Sequence, residues 1–277
     1  MSIWLTDADC DQVAAEICAQ ENLVIIDDAS TGFGWCSKVV DAEGKTHYLK
    51  VITEDAMFVD FKRQESQVLA LGQADEIFPR FRELRAAPLV LLVEDPGNAI
   101  ATGNDYLTAD QLLQAGSLFR KLHDLPLVPG VMTGIDRIIK TDYQQPVNDF
   151  EARHFDEFRK LSTYMINQHA HEEYLLHGDP HPANIVITEA GRLYLIDPHG
   201  LKGSRCYDLA RVASYETDPW AAYQLLLEGY GRSSLPEERK WLALTCFQAQ
   251  HHNDQLGIKK GATAGEAFLD LAEQLNY

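Results

Sequence analysis

Apolar and polar positions along the first third of the chain change period twice. Residues 6–20 place Val13, Ala14, Ile17 and Cys18 on one helical face, with Thr6 as the expected N-cap. Residues 23–26, 37–40 and 46–52 read instead as three short strands, joined by a turn over 28–35 and by Glu43-Gly44. They predict an antiparallel meander. A helix over 56–71 follows, burying Phe58, Phe61, Val68 and Leu69 with Glu65 among them. Two more strands are expected near 80–84 and at the apolar run 89–93, before Glu94-Asp95-Pro96-Gly97-Asn98 breaks regular structure.

Beyond that break the period is helical. Residues 110–123 repeat Leu112, Leu113, Gly116, Phe119 and Leu122, and a long polar helix is expected over 147–169. Further helices are expected from 207, over 220–229, over 237–251 and over 264–275. Between them, Ile185-Val186-Ile187 and Leu193-Tyr194-Leu195-Ile196 flank the turn Glu189-Ala190-Gly191-Arg192, which reads as a hairpin. The expected organisation is α+β. Residues 1–95 are expected to form a small β-rich lobe, and residues 96–277 a larger helical one.

The hairpin sits inside the stretch where candidate reactive side chains gather. Asp179 lies in a loop stiffened by Pro180 and Pro182, Asn184 follows five residues later, and Asp197 thirteen after that. Alone, such an aspartate is a turn residue. Together, a carboxylate able to take a hydroxyl proton and two oxygen ligands able to hold Mg2+ are what phosphoryl transfer from ATP requires. Lys50 falls within an apolar strand, where an ammonium needs a partner, and Glu65 on the next helix can supply it. Lys50 can also be a strand residue whose ammonium reaches solvent. Gly32-Phe33-Gly34 lies between two strands where the backbone can approach phosphates, although Ser37 stands where a third glycine is wanted. A plain hairpin turn explains it equally well. Ser30 and Thr31 are candidate phosphate contacts. His177 and His181 read as braces of the loop, and Asp208 as a residue that hydrogen-bonds it. His251 and His252 diverge by about 100° on a helix and do not chelate together.

Composition narrows the partners. The net charge of −18 disfavours nucleic acid and anionic membrane surfaces. It is spread along the chain, with 18 acidic and 8 basic residues in 1–97 and 24 and 16 in 98–277. Five scattered cysteines without a Cys-x-x-Cys pair suit reduced thiols rather than zinc. The N-terminus lacks a signal-peptide pattern and no run is long enough for a membrane helix, so a soluble, cytoplasmic protein is expected.

His-Gly-Asp-Pro-His-Pro-Ala-Asn-Ile at 177–185 with Ile-Asp-Pro at 196–198 resembles the signature of the aminoglycoside phosphotransferase and choline-kinase-like superfamily. The run Ile-Asp-Pro-His-Gly-Leu-Lys-Gly-Ser-Arg-Cys-Tyr-Asp-Leu-Ala at 196–210 is similar to the streptomycin 6-kinase and hydroxyurea-resistance kinase branch. Leu118-Phe119-Arg120-Lys121-Leu122-His123 is similar to the helix end before the catalytic region of these enzymes. The resemblance implies the protein-kinase-like fold, Asp179 as catalytic base, Asn184 and Asp197 as magnesium ligands, and Lys50 with Glu65 as the phosphate-orienting pair. It also implies a hinge from Val93 to Asp95 that meets adenine largely through backbone groups. No Ala-Pro-Glu activation segment follows Asp197, which disfavours a protein acceptor.

The expected function is therefore an ATP- and magnesium-dependent kinase that phosphorylates a hydroxyl of an aminoglycoside-like acceptor. The alternatives are a metabolic kinase for a sugar or amino-alcohol, and a binding protein that keeps the fold without catalysis. For a cationic acceptor, Glu172, Glu173, Glu216 and Asp218 are the expected ring of carboxylates, unless they form a solvated face.

Overall fold

Two compact units make up the chain, Met1–Gly97 and Asn98–Tyr277. The computed structural model describes residues 7–28, 35–52, 68–71, 76–86, 88–99, 106–127, 134–136, 139, 146, 149–169, 171–232, 238–255, 265, 267–268 and 271. The expected helix over 56–71 lies outside them except for its last turn, and the helix over 264–275 is described only at scattered positions.

The first unit is a five-stranded antiparallel sheet with a helix laid on one face. Helix α1 (Asp7–Glu21) is followed by β1 (Val24–Asp28), β2 (Trp35–Val40), β3 (Thr46–Ile52), β4 (Phe81–Ala86) and β5 (Leu89–Glu94), in spatial order β1-β2-β3-β5-β4. Cys10, Ala14, Ile17 and Cys18 recur at helical spacing and pack on Trp35, Val39, Leu49, Val51, Val90 and Leu92. Those strand residues alternate, so they share one sheet face. Trp35 Nε1 donates to Asp11 Oδ1 at 2.7 Å, pinning β2 to α1. Leu49 and Val51 face the helix, which turns Lys50 between them to the opposite face.

In the second unit, β6 (Asn98–Ala99) pairs with β8 (Ile185–Ile187), which pairs with β9 (Leu193–Leu195). A separate two-stranded ladder joins β7 (Tyr174–Leu176) to β10 (Leu201–Gly203). Around them lie α2 (Ala109–His123), α3 (Asp149–His169), α4 (Cys206–Ala213), α5 (Pro219–Tyr230) and α6 (Glu238–Gln255). Helix α2 starts at a capping box, in which Thr108 Oγ1 accepts from Gln111 N and Gln111 Oε1 accepts from Thr108 N.

Helices α2 and α5 touch backbone to backbone. A Cβ on Gly116 would lie 2.1 Å from the Leu226 carbonyl oxygen, and one on Gly229 would lie 2.0 Å from that of Leu113. Neither position admits a side chain at this crossing. Phe158 of α3 stacks on Phe247 of α6 at 4.3 Å between centroids. Every residue of α4 is buried, although Asp208 and Arg211 are among them. Among the described residues no helix is long and apolar enough to cross a membrane.

Candidate functional site

The loop at 177–184 is suspended between the two small ladders. Strand β7 runs into it, and His199 N donates to the His177 carbonyl at 2.7 Å, continuing the β7–β10 pairing past its last residue. At its other end, Pro182–Asn184 form a single 3-10 turn that opens β8. Ile185 pairs with Leu195, and Ile196 N donates to the Asn184 carbonyl at 2.9 Å. The hairpin therefore brings Asn184 and Asp197 to the same end, although they are thirteen residues apart in sequence.

Inside the loop, backbone and side chains fix one another. His181 N donates to the Asp179 carbonyl at 3.0 Å, and Asn184 Nδ2 donates to the same oxygen at 2.9 Å. Asn184 N donates to the His181 carbonyl at 2.8 Å. With its amide nitrogen committed, Asn184 has its side-chain oxygen left as a donor to a cation. His177 is fully buried; its Nε2 donates to the Ile196 carbonyl at 2.8 Å and its Nδ1 accepts from Asp179 N at 3.3 Å. Those roles require the neutral ring. Burial pushes its pKa down from 6.5 to about 4, against the pull of Asp208. Gly178, at φ 89°, makes the bend that an L side chain would strain.

Helix α4 grips this loop through Asp208, as the sequence suggested. Its Oδ2 accepts from His177 N at 2.7 Å and its Oδ1 from Gly178 N at 3.1 Å. Behind it stands His123, the last residue of α2, with Nε2 3.0 Å from Asp208 Oδ2 and Nδ1 3.2 Å from the Tyr230 hydroxyl. Arg211, one turn further along α4, places a guanidinium nitrogen 3.6 Å from Asp179 Oδ1. His181 Nε2 lies 3.7 Å from the other carboxylate oxygen. Burial alone would raise the Asp179 pKa, but His181, His199 and Arg211 outweigh it and hold the carboxyl below the usual range. The basic groups around it thus favour the charged form of Asp179.

Asn184 and Asp197 are both hard oxygen donors, and Asp197 adopts φ 55°, a left-handed conformation uncommon outside glycine. Such a pair fits a magnesium ion, which takes few protein ligands and fills the rest with phosphate and water. Among the described residues no group of three or more His, Cys, Asp or Glu side chains is arranged to hold a metal.

The first unit carries the remaining candidates. Lys50, on β3, pairs in register with Cys36 and Leu91. Val93 is buried on β5. Asp95 binds the Lys38 ammonium at 2.6 Å and accepts from Gly97 N at 3.0 Å, so its side chain is structural. The backbone donors nearby are also engaged, Glu94 N with the Arg80 carbonyl and Asp95 N with that of Thr46. Pro96 has none. Glu65, Ser30, Thr31 and Gly32-Phe33-Gly34 lie outside the described residues.

The four carboxylates named for a cationic acceptor each have a local partner. Glu172 takes hydrogen bonds from His169 at 2.6 Å and Ser204 at 2.7 Å, and Glu173 pairs with Lys202 at 2.5 Å. Glu216 is buried and accepts from Leu107 N at 3.2 Å. Asp218 caps α5 through Ala221 N at 3.0 Å. Each answers to a local partner that charge counting along the sequence does not show. Sequence reasoning also passed over His123 and Arg211 as site residues. Only the position of His123 at a helix end hinted at it.

Residues 67–244 match the phosphotransferase enzyme family model, more than half of the chain. The chain belongs to this phosphotransferase enzyme family. No curated protein matches its sequence. Among solved structures, the choline kinase LicA from Streptococcus pneumoniae superposes with a TM-score of 0.66 at 14% identity, over 95% of this chain and 97% of that one. A microcompartment-associated aminopropanol kinase gives 0.65 at 16% identity, over 95% and 94%. An aminoglycoside-3′-phosphotransferase of type VIII gives 0.59 at 19% identity, over 85% and 96%. At these identities the likeness is one of fold. The fold of this family member is the protein-kinase-like one, with a small antiparallel sheet and a larger helical part.

Proposed function

We propose that the protein is an ATP- and magnesium-dependent kinase that transfers the γ-phosphoryl group to a hydroxyl of a small molecule. One observation carries the reading: the backbone carbonyl of Asp179 holds the Asn184 side chain, and Asn184 opens β8, whose partner strand β9 ends two residues before Asp197. The acceptor oxygen, oriented by Asp179, bonds to the γ-phosphorus as the bond to the bridging oxygen breaks. That bridging oxygen leaves on ADP, and the hydroxyl proton passes to the Asp179 carboxylate. Asn184 and Asp197 would hold magnesium, which neutralises charge on the phosphates. Lys50, with Glu65, would orient the phosphates.

The family and the aminoglycoside kinase among its structural relatives support an aminoglycoside-like acceptor. A second reading, a sugar or amino-alcohol, is favoured by the dispersal of Glu172, Glu173, Glu216 and Asp218 to local partners. A polycation would find these four already committed.

ADP release measured across aminoglycosides, sugars and amino-alcohols separates the two. Asp179→Ala should fold, retain magnesium-ATP binding by thermal shift, and lose about 10²–10⁴-fold in transfer. Full turnover in that variant would overturn the kinase assignment.

A further inference from the structure

Helix α4 holds the loop at two points one turn apart. Asp208 takes the backbone N–H groups of His177 and Gly178. Arg211, three residues on and hence on the same helical face, reaches the Asp179 side chain at 3.6 Å. The guanidinium is almost wholly enclosed, with 6% of the side chain exposed, and lies over the Tyr215 ring at 5.0 Å from its centroid. Tyr215 in turn meets the His181 ring edge-on at 6.3 Å. Each oxygen of the Asp179 carboxylate thus faces one basic side chain, Arg211 on Oδ1 and His181 on Oδ2.

A carboxylate that sits on a loop is free to rotate about its last bond unless something defines its plane. A cation buried in a helix and stacked on an aromatic ring is a fixed reference, because moving it would cost both the ion pair and the cation–π contact. A solvated lysine on a loop would not serve.

We propose that Arg211 is the positioning residue of the reaction, acting through Asp179: it sets the orientation of the carboxylate toward the acceptor hydroxyl from a rigid helix. The inference rests on the kinase reading above. It makes α4 the element that defines both the path of the loop and the aim of its reactive group, with Asp208 governing the first and Arg211 the second.

The test uses the full chain with magnesium-ATP and water as the acceptor, followed by ADP release, and then the best acceptor from the panel. Arg211→Met should lower kcat by about 10²-fold with the KM for ATP unchanged, because misaimed groups lose rate rather than nucleotide affinity. Arg211→Lys should recover part of the rate, and millimolar guanidinium should restore part of the rate of Arg211→Ala at a temperature well below its Tm. In an Asp179→Asn background, Arg211→Met should have no further effect. A merely structural role predicts instead equal losses in both backgrounds and no rescue, and that pattern overturns the proposal. So does a folded Arg211→Met enzyme whose kcat stays within about twofold of the wild type. A wild-type protein that neither binds nor turns over magnesium-ATP overturns the kinase reading itself, and this inference with it.

Discussion

His123 Nε2 lies 3.0 Å from Asp208 Oδ2, and neither side chain is exposed to solvent. A carboxylate only accepts, so His123 donates here. The bond joins the end of α2 to α4 and completes the set of donors around an anion that also receives His177 N and Gly178 N. Removing His123 leaves a buried carboxylate short of one partner. His123→Ala is expected to lower stability by about 3 kcal/mol in urea denaturation and to reduce kcat through the loosened loop. His123→Gln, which can still donate, should recover part of both. A loss below about 1 kcal/mol in the alanine variant would show that the pair is not a structural anchor.

His177 makes stability depend on pH in a defined window. The unfolded chain takes up the imidazole proton near pH 6.5, and the folded chain only near 4. Protons therefore favour unfolding between those values. The contribution is whole above about pH 6.5 and falls away as the pH drops toward 4, by about 3 kcal/mol in all. His177→Gln, which has no titrating proton, should show a smaller loss between pH 7 and 4.5 in urea melts. Parallel slopes for the two proteins would place the acid sensitivity elsewhere.

The hairpin at 185–195 and the sheet of the first unit were legible because they repeat. Alternating residues, a turn with Gly191, and several strands in a row leave a period that the sequence displays. Strands β6, β7 and β10, two or three residues long, have no period to read. The apolar triplet Val24-Ile25-Ile26 shows the opposite problem. It reads as a strand, but its apolar run does not show that it lies on the edge strand β1 with Val24 61% exposed. The grouping of Asp179, Asn184 and Asp197 around one hairpin was visible because its geometry is local. Arg211 was not, since its meaning depends on where α4 is packed. Nor was the fate of Glu173 and Glu216, whose partners Lys202 and Leu107 are 29 and 109 residues away.

The α2–α5 crossing offers a test of how packing reaches the site. Gly116 and Gly229 let the two backbones meet, and the same helices end in His123 and Tyr230, whose side chains are 3.2 Å apart. Gly116→Ala would force its Cβ onto the Leu226 carbonyl and push the helices apart. The expected cost is about 1–3 kcal/mol or more, read by thermal or urea unfolding. Activity should fall with it even well below the melting temperature, because His123 is drawn away from Asp208. An enzyme of wild-type stability and rate would mean the crossing relaxes without cost.

Asp197 allows its proposed magnesium role to be separated from its backbone strain. Its φ of 55° is a conformation that costs an L residue about 1–2 kcal/mol and glycine nothing. Strained residues of this kind cluster at functional sites. Asp197→Gly relieves the backbone while adding chain entropy to the unfolded state, so stability should be unchanged or rise by up to about 1 kcal/mol. The same change removes a carboxylate from the proposed magnesium pair. Thermal shift by ATP should then no longer depend on magnesium, and phosphoryl transfer should be lost. Asp197→Asn keeps the conformation and one oxygen donor, and should fall between the two in magnesium response. The measurement is a pair of melting curves, with and without magnesium-ATP, for each variant. A glycine variant that melts well below the wild type would show that Asp197 holds the fold rather than the metal. Undiminished magnesium-dependent stabilisation would remove Asp197 from the ligand set.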